Sequence, residues 1–234
     1  MTDHILKKID AEIAALRGRV LVLAEQVTAQ LTDATTLLEK CYLERGVSVD
    51  KLEDKINELQ VALDRECLQF IALHKPSAGD LRTAISMMRV VTDLEAIGNA
   101  VVFITRAGER VHKGVKREVP AIGDLNDAFA LLKTMLQTAM QGFERIDPQT
   151  LLSLARHQRD LSQRVAAMRD TLADAVTEGG GNVKVHLDVI EIAHTTDIIG
   201  NLCQSIGAHV AFMVIGNDFR HASLAEIEQN FATN

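Results

Sequence analysis

The sequence contains few aromatic residues and few residues that break helices. Only 3% of its 234 residues are aromatic, with no tryptophan and one tyrosine, whereas 47% are hydrophobic. A core made from this composition must be filled by Leu, Ile, Val, Ala and Met, which suits α-helices packed at close range. Only three prolines interrupt the chain, so long uninterrupted helices are expected.

Cysteine and clustered positive charge are also scarce. The three cysteines, Cys41, Cys67 and Cys203, are odd in number and far apart, which argues against a disulfide framework or a zinc site. We expect them to be reduced core residues. The formal net charge is −7, with no run of like charge, and this argues against a nucleic-acid partner because phosphate binding needs clustered Lys and Arg.

Long apolar runs are missing as well. Residues 1–9 alternate charged and apolar side chains without the apolar region of a signal peptide, and no stretch has 18 consecutive apolar residues. These patterns predict a cytoplasmic protein that does not insert into a membrane.

Helical periodicity is what the sequence does contain, and it occurs in two similar series. Apolar residues recur at spacings of three or four, in stretches separated by polar or glycine-containing turns. In the first series Ser48 and Asp50 are suited to cap the second helix, and Pro76 is expected to end it. The predicted helices cover about residues 5–43, 50–75, 81–107, 125–143, 148–176 and 182–215.

This order predicts an all-α fold of two tandem, pseudo-symmetric three-helix bundles. The first bundle would comprise residues 1–112 and the second residues 120–221, with a polar linker from about residue 108 to 123. Residues 222–234 would form a loosely held C-terminal tail.

A short motif supports an internal duplication. Glu95-Ala96-Ile97-Gly98-Asn99 matches Asp197-Ile198-Ile199-Gly200-Asn201 at a fixed offset, and Asp80-Leu81-Arg82 falls on Asn182-Val183-Lys184 at the same offset. Glycine inside a helix costs up to about 1 kcal/mol relative to alanine. Gly98 and Gly200 therefore predict the close approach of a neighbouring helix.

The acidic and amide residues of this motif are the candidate binding residues. Glu95 and Asn99 are four residues apart, as are Asp197 and Asn201, so each pair projects from one helix face. Such a face suits a shared cation or a basic side chain of a partner, and the alternative is a solvated polar stripe. By pseudo-symmetry the two pairs are expected to lie near each other.

Two Glu-x-x-His pairs supply an enzyme-like alternative. Glu109 with His112 and Glu191 with His194 have the spacing used by di-metal carboxylate sites in helical bundles. They are not at the repeat offset, and neither a phosphate-binding glycine loop nor a nucleophile with a base is visible. We therefore predict a binding protein rather than an enzyme.

Three segments together resemble the PhoU family. They are the turn Pro76-Ser77-Ala78-Gly79-Asp80-Leu81-Arg82, the two acidic-x-Ile-Gly-Asn motifs, and the ending Gly216-Asn217-Asp218-Phe219-Arg220-His221. The resemblance implies a cytoplasmic homodimer that works with a phosphate ABC transporter and a sensor histidine kinase, as a negative regulator of phosphate-starvation signalling. An adaptor for a different transporter is the alternative within this family.

The resemblance also implies structural roles and a metal site. Pro76, Asp80 and Arg82 would fix the turn before the third helix. Family members bind iron or zinc through acidic motifs, for which Glu95, Asp197 and Asp64 are the remaining carboxylates here. Asn99 and Asn201 replace the family's aspartates, and an amide is a weaker, neutral ligand.

The C-terminal ending has two interpretations. Asp218-Phe219-Arg220-His221 mixes an aromatic residue with charged ones after the last predicted helix. It is either a docking segment for a partner or a turn that caps the helix.

Overall fold

The fold is all-α, as predicted. The computed structural model describes residues 2–40, 44–114, 122–179 and 182–231, and within them it contains α-helices and no strands. Cys41, residues 115–121 within the predicted linker, and the pair Gly180-Gly181 lie outside the described residues. The helices are α1 (Thr2–Lys40), α2 (Glu44–His74), α3 (Ala78–Gly114), α4 (Ile122–Arg145), α5 (Thr150–Thr177), α6 (Val183–Ile215) and α7 (Leu224–Phe231).

Local side-chain and glycine contacts mark both ends of α6 and the start of α3. The Asn182 side-chain oxygen accepts a hydrogen bond from the backbone N–H of Lys184 at 3.1 Å, which satisfies a donor in the first turn of α6. Gly216 ends α6 with a φ of 83°, and its N–H donates to the Phe212 carbonyl. Before α3, the Ser77 hydroxyl donates to the Asp80 carboxylate at 2.7 Å.

Helices α3 and α6 form the centre of the molecule and run antiparallel. Going forward along α3, Asp93 faces His209 at 3.2 Å and Arg110 faces Asp188 at 2.7 Å, so the partners on α6 run backward. Among the described helices, α3 and α6 make the most extensive contact. This register places Asn99 on α3 and Asn201 on α6 at about the same level.

The buried residues of both repeats form one continuous core. Leu94 and Ile97 from α3 belong to the same cluster as Phe129 from α4 and Ile199 from α6, and all four are fully buried. The six long helices thus follow the predicted order, while packing continues across the two halves. The division into residues 1–112 and 120–221 stays a prediction about the repeat.

Helix α6 owes its apolar character to its central position. It is long and apolar enough by composition to cross a membrane, with a mean hydropathy of 1.6 in its most apolar window. In the fold, 56% of that window is buried. Cys203 on α6 and Cys67 on α2 are buried free thiols, which confirms the prediction that they are core residues.

Two helix boundaries differ from the sequence prediction. Ser48 does not cap α2, which begins at Glu44; its hydroxyl instead donates to the Asp33 carboxylate on α1 at 2.6 Å. Similarly, α3 does not end at Gly108 but continues to Gly114. Gly108 is buried where α1 packs closely on α3: a β-carbon there would lie 2.6 Å from a Leu38 methyl carbon. Tertiary contacts thus extend helices that local sequence suggested would end.

The prediction of a loosely held C-terminal tail is wrong for residues 224–231. Residues 224–231 form α7, which packs against α5, and its Ile227 and Phe231 are buried in a second apolar cluster with Phe219. Ser223 and Glu226 form a reciprocal capping box: the Ser223 N–H donates to the Glu226 carboxylate at 2.6 Å, and the Glu226 N–H to the Ser223 hydroxyl at 3.3 Å. This Ser-x-x-Glu signal is readable in the sequence.

Candidate functional site

The first acidic motif lies on α3 with its carboxylate turned toward its own helix. The Asn99 side-chain amide donates to the Glu95 carboxylate at 2.6 Å, and Asn99 itself is exposed. Glu95 is half-buried and carries no other described hydrogen bond or ion pair. It can therefore accept further hydrogen bonds from a partner.

The second acidic motif is held differently. The Asp197 carboxylate accepts hydrogen bonds from the Ser162 hydroxyl at 2.5 Å and from the Gln158 amide at 2.9 Å, both on α5. Asn201 donates to the Asp197 backbone carbonyl and not to the carboxylate. The repeat has therefore produced two unequal acidic positions, since Asp197 joins α5 to α6 whereas Glu95 has only Asn99.

Gly98 and Gly200 have related surroundings. A β-carbon at Gly98 would lie 3.2 Å from the Gln30 side-chain oxygen, and one at Gly200 would meet the equivalent oxygen of Gln158. Both glutamine oxygens are buried and accept no hydrogen bond from any residue that the structure describes. However, Gln30 lies on α1 and Gln158 on α5, and these are not corresponding helices of the two repeats. The two glycines therefore face the same type of side chain from non-equivalent helices.

The two acidic motifs lie side by side without forming one cluster. In the antiparallel register, Glu95 and Asp197 are separated by about 12 Å along the helix axes, since about eight residues of 1.5 Å rise lie between their levels. Among the described residues, no hydrogen bond or ion pair joins Glu95 or Asn99 to Asp197 or Asn201. One small ligand would not contact both carboxylates.

An exposed surface lies between the two motifs, and we call it the central face. Arg110 on α3 contacts Glu191 on α6 at 3.3 Å, and both side chains are exposed, so the exposed sides of these helices share one face. Two turns away on each helix are Phe103 and Ile198, which are 45% and 42% exposed. The central face consists of Glu95, Asn99, Phe103, Ile198 and Asn201.

Sequence reasoning missed Phe103. A phenylalanine four residues after Asn99 continues the same stripe of α3. A solvent-exposed aromatic side chain between polar residues is typical of a protein interface, where aromatic residues supply much of the buried area.

The described residues do not provide the ligand set that a metal site requires. No three His, Cys, Asp or Glu side chains converge anywhere in the described parts of the chain. Asp64 lies half-buried on α2, and burial raises the pKa of its carboxyl group, which makes it a poorer anionic ligand. One carboxylate oxygen of Asp197, Oδ1, already accepts two hydrogen bonds from neutral donors on α5.

One residue of each Glu-x-x-His pair contacts another helix of the fold. A ring nitrogen of His112 lies 3.0 Å from the Leu37 carbonyl, while Glu191 pairs with Arg110. His194 is exposed. Their carboxylates and imidazoles do not form a di-metal centre within the described residues.

The turn before α3 lies beside the C-terminal end of α6. Pro76 lies in the three-residue connection between α2 and α3, and Asp80 is in the first turn of α3. The Arg82 guanidinium lies beside Gly216, where a β-carbon would be 3.8 Å from its central carbon. A cation at this position stabilises the C-terminal end of α6, where backbone carbonyls are unpaired.

The ending 218–221 folds back on the chain. The Asp218 carboxylate accepts hydrogen bonds from the Arg220 side chain at 2.9 and 2.5 Å, and these bonds lower the pKa of Asp218 far below its usual range. Phe219 is buried and its ring centre lies 5.3 Å from that of Phe231. The segment is a turn anchored by Phe219, with Asp218, Arg220 and His221 exposed, and both interpretations of it stay predictions.

Comparison with known proteins agrees with this architecture. The profile of the PhoU domain matches residues 20–107. The chain is 29% identical over 231 residues to a phosphate-specific transport system accessory protein PhoU homolog from Pseudomonas putida, covering 96% of this chain and 87% of that protein. It is 25% identical to phosphate-specific transport system accessory protein PhoU from Escherichia coli K12, covering 99% and 95%.

Two solved structures share the fold. The crystal structure of PhoU from Pseudomonas aeruginosa superposes with a TM-score of 0.84 at 25% identity, covering 89% of this chain and 99% of that one. The phosphate transport system regulatory protein PhoU from Streptococcus pneumoniae superposes with a TM-score of 0.83 at 20% identity, covering 90% and 98%. The motifs, the domain match and the full-length relatives agree, and the chain is similar to PhoU proteins in sequence and fold.

Proposed function

We propose that this protein regulates phosphate uptake and phosphate-starvation signalling by binding partner proteins. The observation that carries the proposal is similarity along almost the whole chain to proteins named as accessory proteins of phosphate-specific transport. The proposed role is negative regulation: the protein holds the starvation response off when phosphate is plentiful. It needs no chemical step of its own.

The proposed partners are the ATPase of a phosphate ABC transporter and a sensor histidine kinase. Both act at the cytoplasmic side of a membrane, so the protein would be cytoplasmic, reaching the inner membrane through these partners and acting as a homodimer. The continuous core and the long helices support this role because they present surface residues on a rigid frame.

The central face is the proposed contact surface. It combines two exposed apolar side chains, Phe103 and Ile198, with the polar side chains of Glu95, Asn99 and Asn201. An apolar centre with a polar surround is the usual composition of a protein interface. Asp197 would help to position this surface, because its carboxylate accepts hydrogen bonds that hold α6 against α5.

A pull-down from native cells tests the proposal. The tagged wild-type chain should recover the phosphate-transporter ATPase, and the double variant Phe103→Ala with Ile198→Ala should not. The matched control is Val61→Ala with Leu68→Ala, which removes two apolar side chains that are 56% and 57% exposed on α2. The control variant should recover the ATPase as well as wild type does.

A reporter gene for the starvation response measures repression in the same cells. Deleting the gene should turn the reporter on in high phosphate, and wild type or the control variant should restore repression. Recovery of an unrelated transporter in place of the phosphate ATPase would point to an adaptor for another system. Full repression by the double variant would contradict the assignment of the central face.

A further inference from the structure

A groove lies between α1 and α4. It has a volume of about 750 Å³ and is open along its length. Its walls run from Leu21 to Asp33 on α1 and from Lys133 to Glu144 on α4. At 1.5 Å per residue each wall is about 17 Å long, which matches about 12 residues of a docked helix.

The floor of the groove is apolar. Leu21, Ala24, Ala29 and Met140 line it. The hydroxyl of Thr28 donates to the Ala24 carbonyl at 2.8 Å, so this hydroxyl is satisfied within α1. A partner would therefore bury apolar side chains here without leaving that donor unpaired.

The rim of the groove is acidic. Glu25 and Glu144 are exposed on opposite walls, and Asp33 stands at one end, where the Ser48 hydroxyl holds its carboxylate. Lys133 is the one basic residue among the lining side chains. The groove therefore presents an apolar strip between negative edges.

From this charge and shape we propose that the groove binds a cationic amphipathic helix of a partner protein. An apolar face at the spacing i, i+3, i+4 and i+7 would enter the groove, and Lys or Arg on both flanks would meet Glu25 and Glu144. A second copy of the chain is disfavoured as the occupant, because the protein carries a net charge of −7 and would bring acidic surface to an acidic rim. The groove is separate from the central face and does not depend on the function assigned there.

The test uses the full chain and a designed fluorescent peptide of about 12 residues, the helix length that spans the groove. The peptide carries leucines along one face and lysines on both flanks. Fluorescence anisotropy measures its dissociation constant. A peptide with glutamates in place of the lysines tests whether binding depends on charge. A scrambled peptide of the same composition tests whether binding depends on an apolar helix face.

Two variants change the groove in different ways. Ala29→Trp fills the floor, and Glu25→Lys with Glu144→Lys reverses the rim. Each should weaken peptide binding by about tenfold or more, since each removes either the apolar fit or the charge match. The matched controls make the same changes at exposed positions of α2: Ala72→Trp for the floor variant, and Asp54→Lys with Glu58→Lys for the rim variant. Each control should alter binding by less than about twofold.

Three outcomes would overturn the proposal. Equal binding by the groove variants and the α2 controls would show non-specific attraction to an acidic protein. Equal binding of the scrambled peptide would show that no helical face is recognised. If light scattering shows that Ala29→Trp dissociates an oligomer of the wild-type chain, the occupant is a second copy and not a basic partner.

Discussion

The two repeat glycines predict unequal responses to the same mutation. At Gly200, an added β-carbon would lie 2.5 Å from a Leu161 methyl carbon and would also meet the Gln158 side-chain oxygen. Gln158 cannot move aside freely because its amide donates to the Asp197 carboxylate. At Gly98, the nearest atoms are the Gln30 oxygen at 3.2 Å and an Ile56 carbon at 3.4 Å.

The magnitudes follow from these contacts. Replacing glycine by alanine inside a helix stabilises it by up to about 1 kcal/mol. At Gly200 this gain is outweighed by overpacking, which costs about 1–3 kcal/mol, and by displacement of a hydrogen bond to a charged group, worth about 1.5–3 kcal/mol. Gly200→Ala should therefore lower the free energy of unfolding by about 2 kcal/mol. Gly98→Ala should leave it unchanged or raise it by up to about 1 kcal/mol, because a shift of a few tenths of an ångström relieves its contacts.

Urea denaturation followed by circular dichroism measures both changes, with the m-value checking that the unfolding transition keeps its two-state form. In a thermal melt, a loss of about 2 kcal/mol corresponds to about 4–8 °C for a chain of this size. Equal destabilisation by the two substitutions, or a larger effect at Gly98, would refute the inference that Asp197 and Gln158 lock α5 onto α6.

Two further predictions concern buried groups. Burial raises the pKa of the Cys67 thiol to about 11, and that of the Cys203 thiol still further. In a Cys41→Ser background neither thiol should react with Ellman's reagent at about pH 8 until the protein is unfolded; prompt labelling of either would contradict its placement in the core. Ile227→Asp should release α7, since Ile227 is fully buried in a cluster separate from the main core. Hydrogen exchange should then rise in residues 224–231 alone, and a global rise would show that α7 belongs to the main cooperative unit.

The helix order could be predicted from sequence because it depends on local features. Amphipathic periodicity and the scarcity of proline are visible residue by residue, and they located the six long helices. The errors arose where distant contacts decide the outcome. Ser48 has a good capping side chain, yet its partner is Asp33 on another helix. The short helix α7 depends on a cluster contributed by α5, although its Ser223 and Glu226 caps were readable.

The candidate site was predictable only in part, for the same reason. The two copies of the motif lie on α3 and α6, but the motif says nothing about the helix opposite each copy. Ser162 and Gln158 engage Asp197, whereas Glu95 accepts only from Asn99. The binding roles of Glu95, Asn99, Asp197 and Asn201 stay predictions.

The most direct test of the central claim is the affinity of the purified chain for the ATPase of the phosphate ABC transporter, measured by calorimetry. Phe103→Ala with Ile198→Ala should weaken binding by about tenfold or more, since truncating a buried interface anchor costs about 2 kcal/mol. Val61→Ala with Leu68→Ala should leave the affinity unchanged. Equal affinities for wild type and both double variants would show that this partner does not bind at the central face.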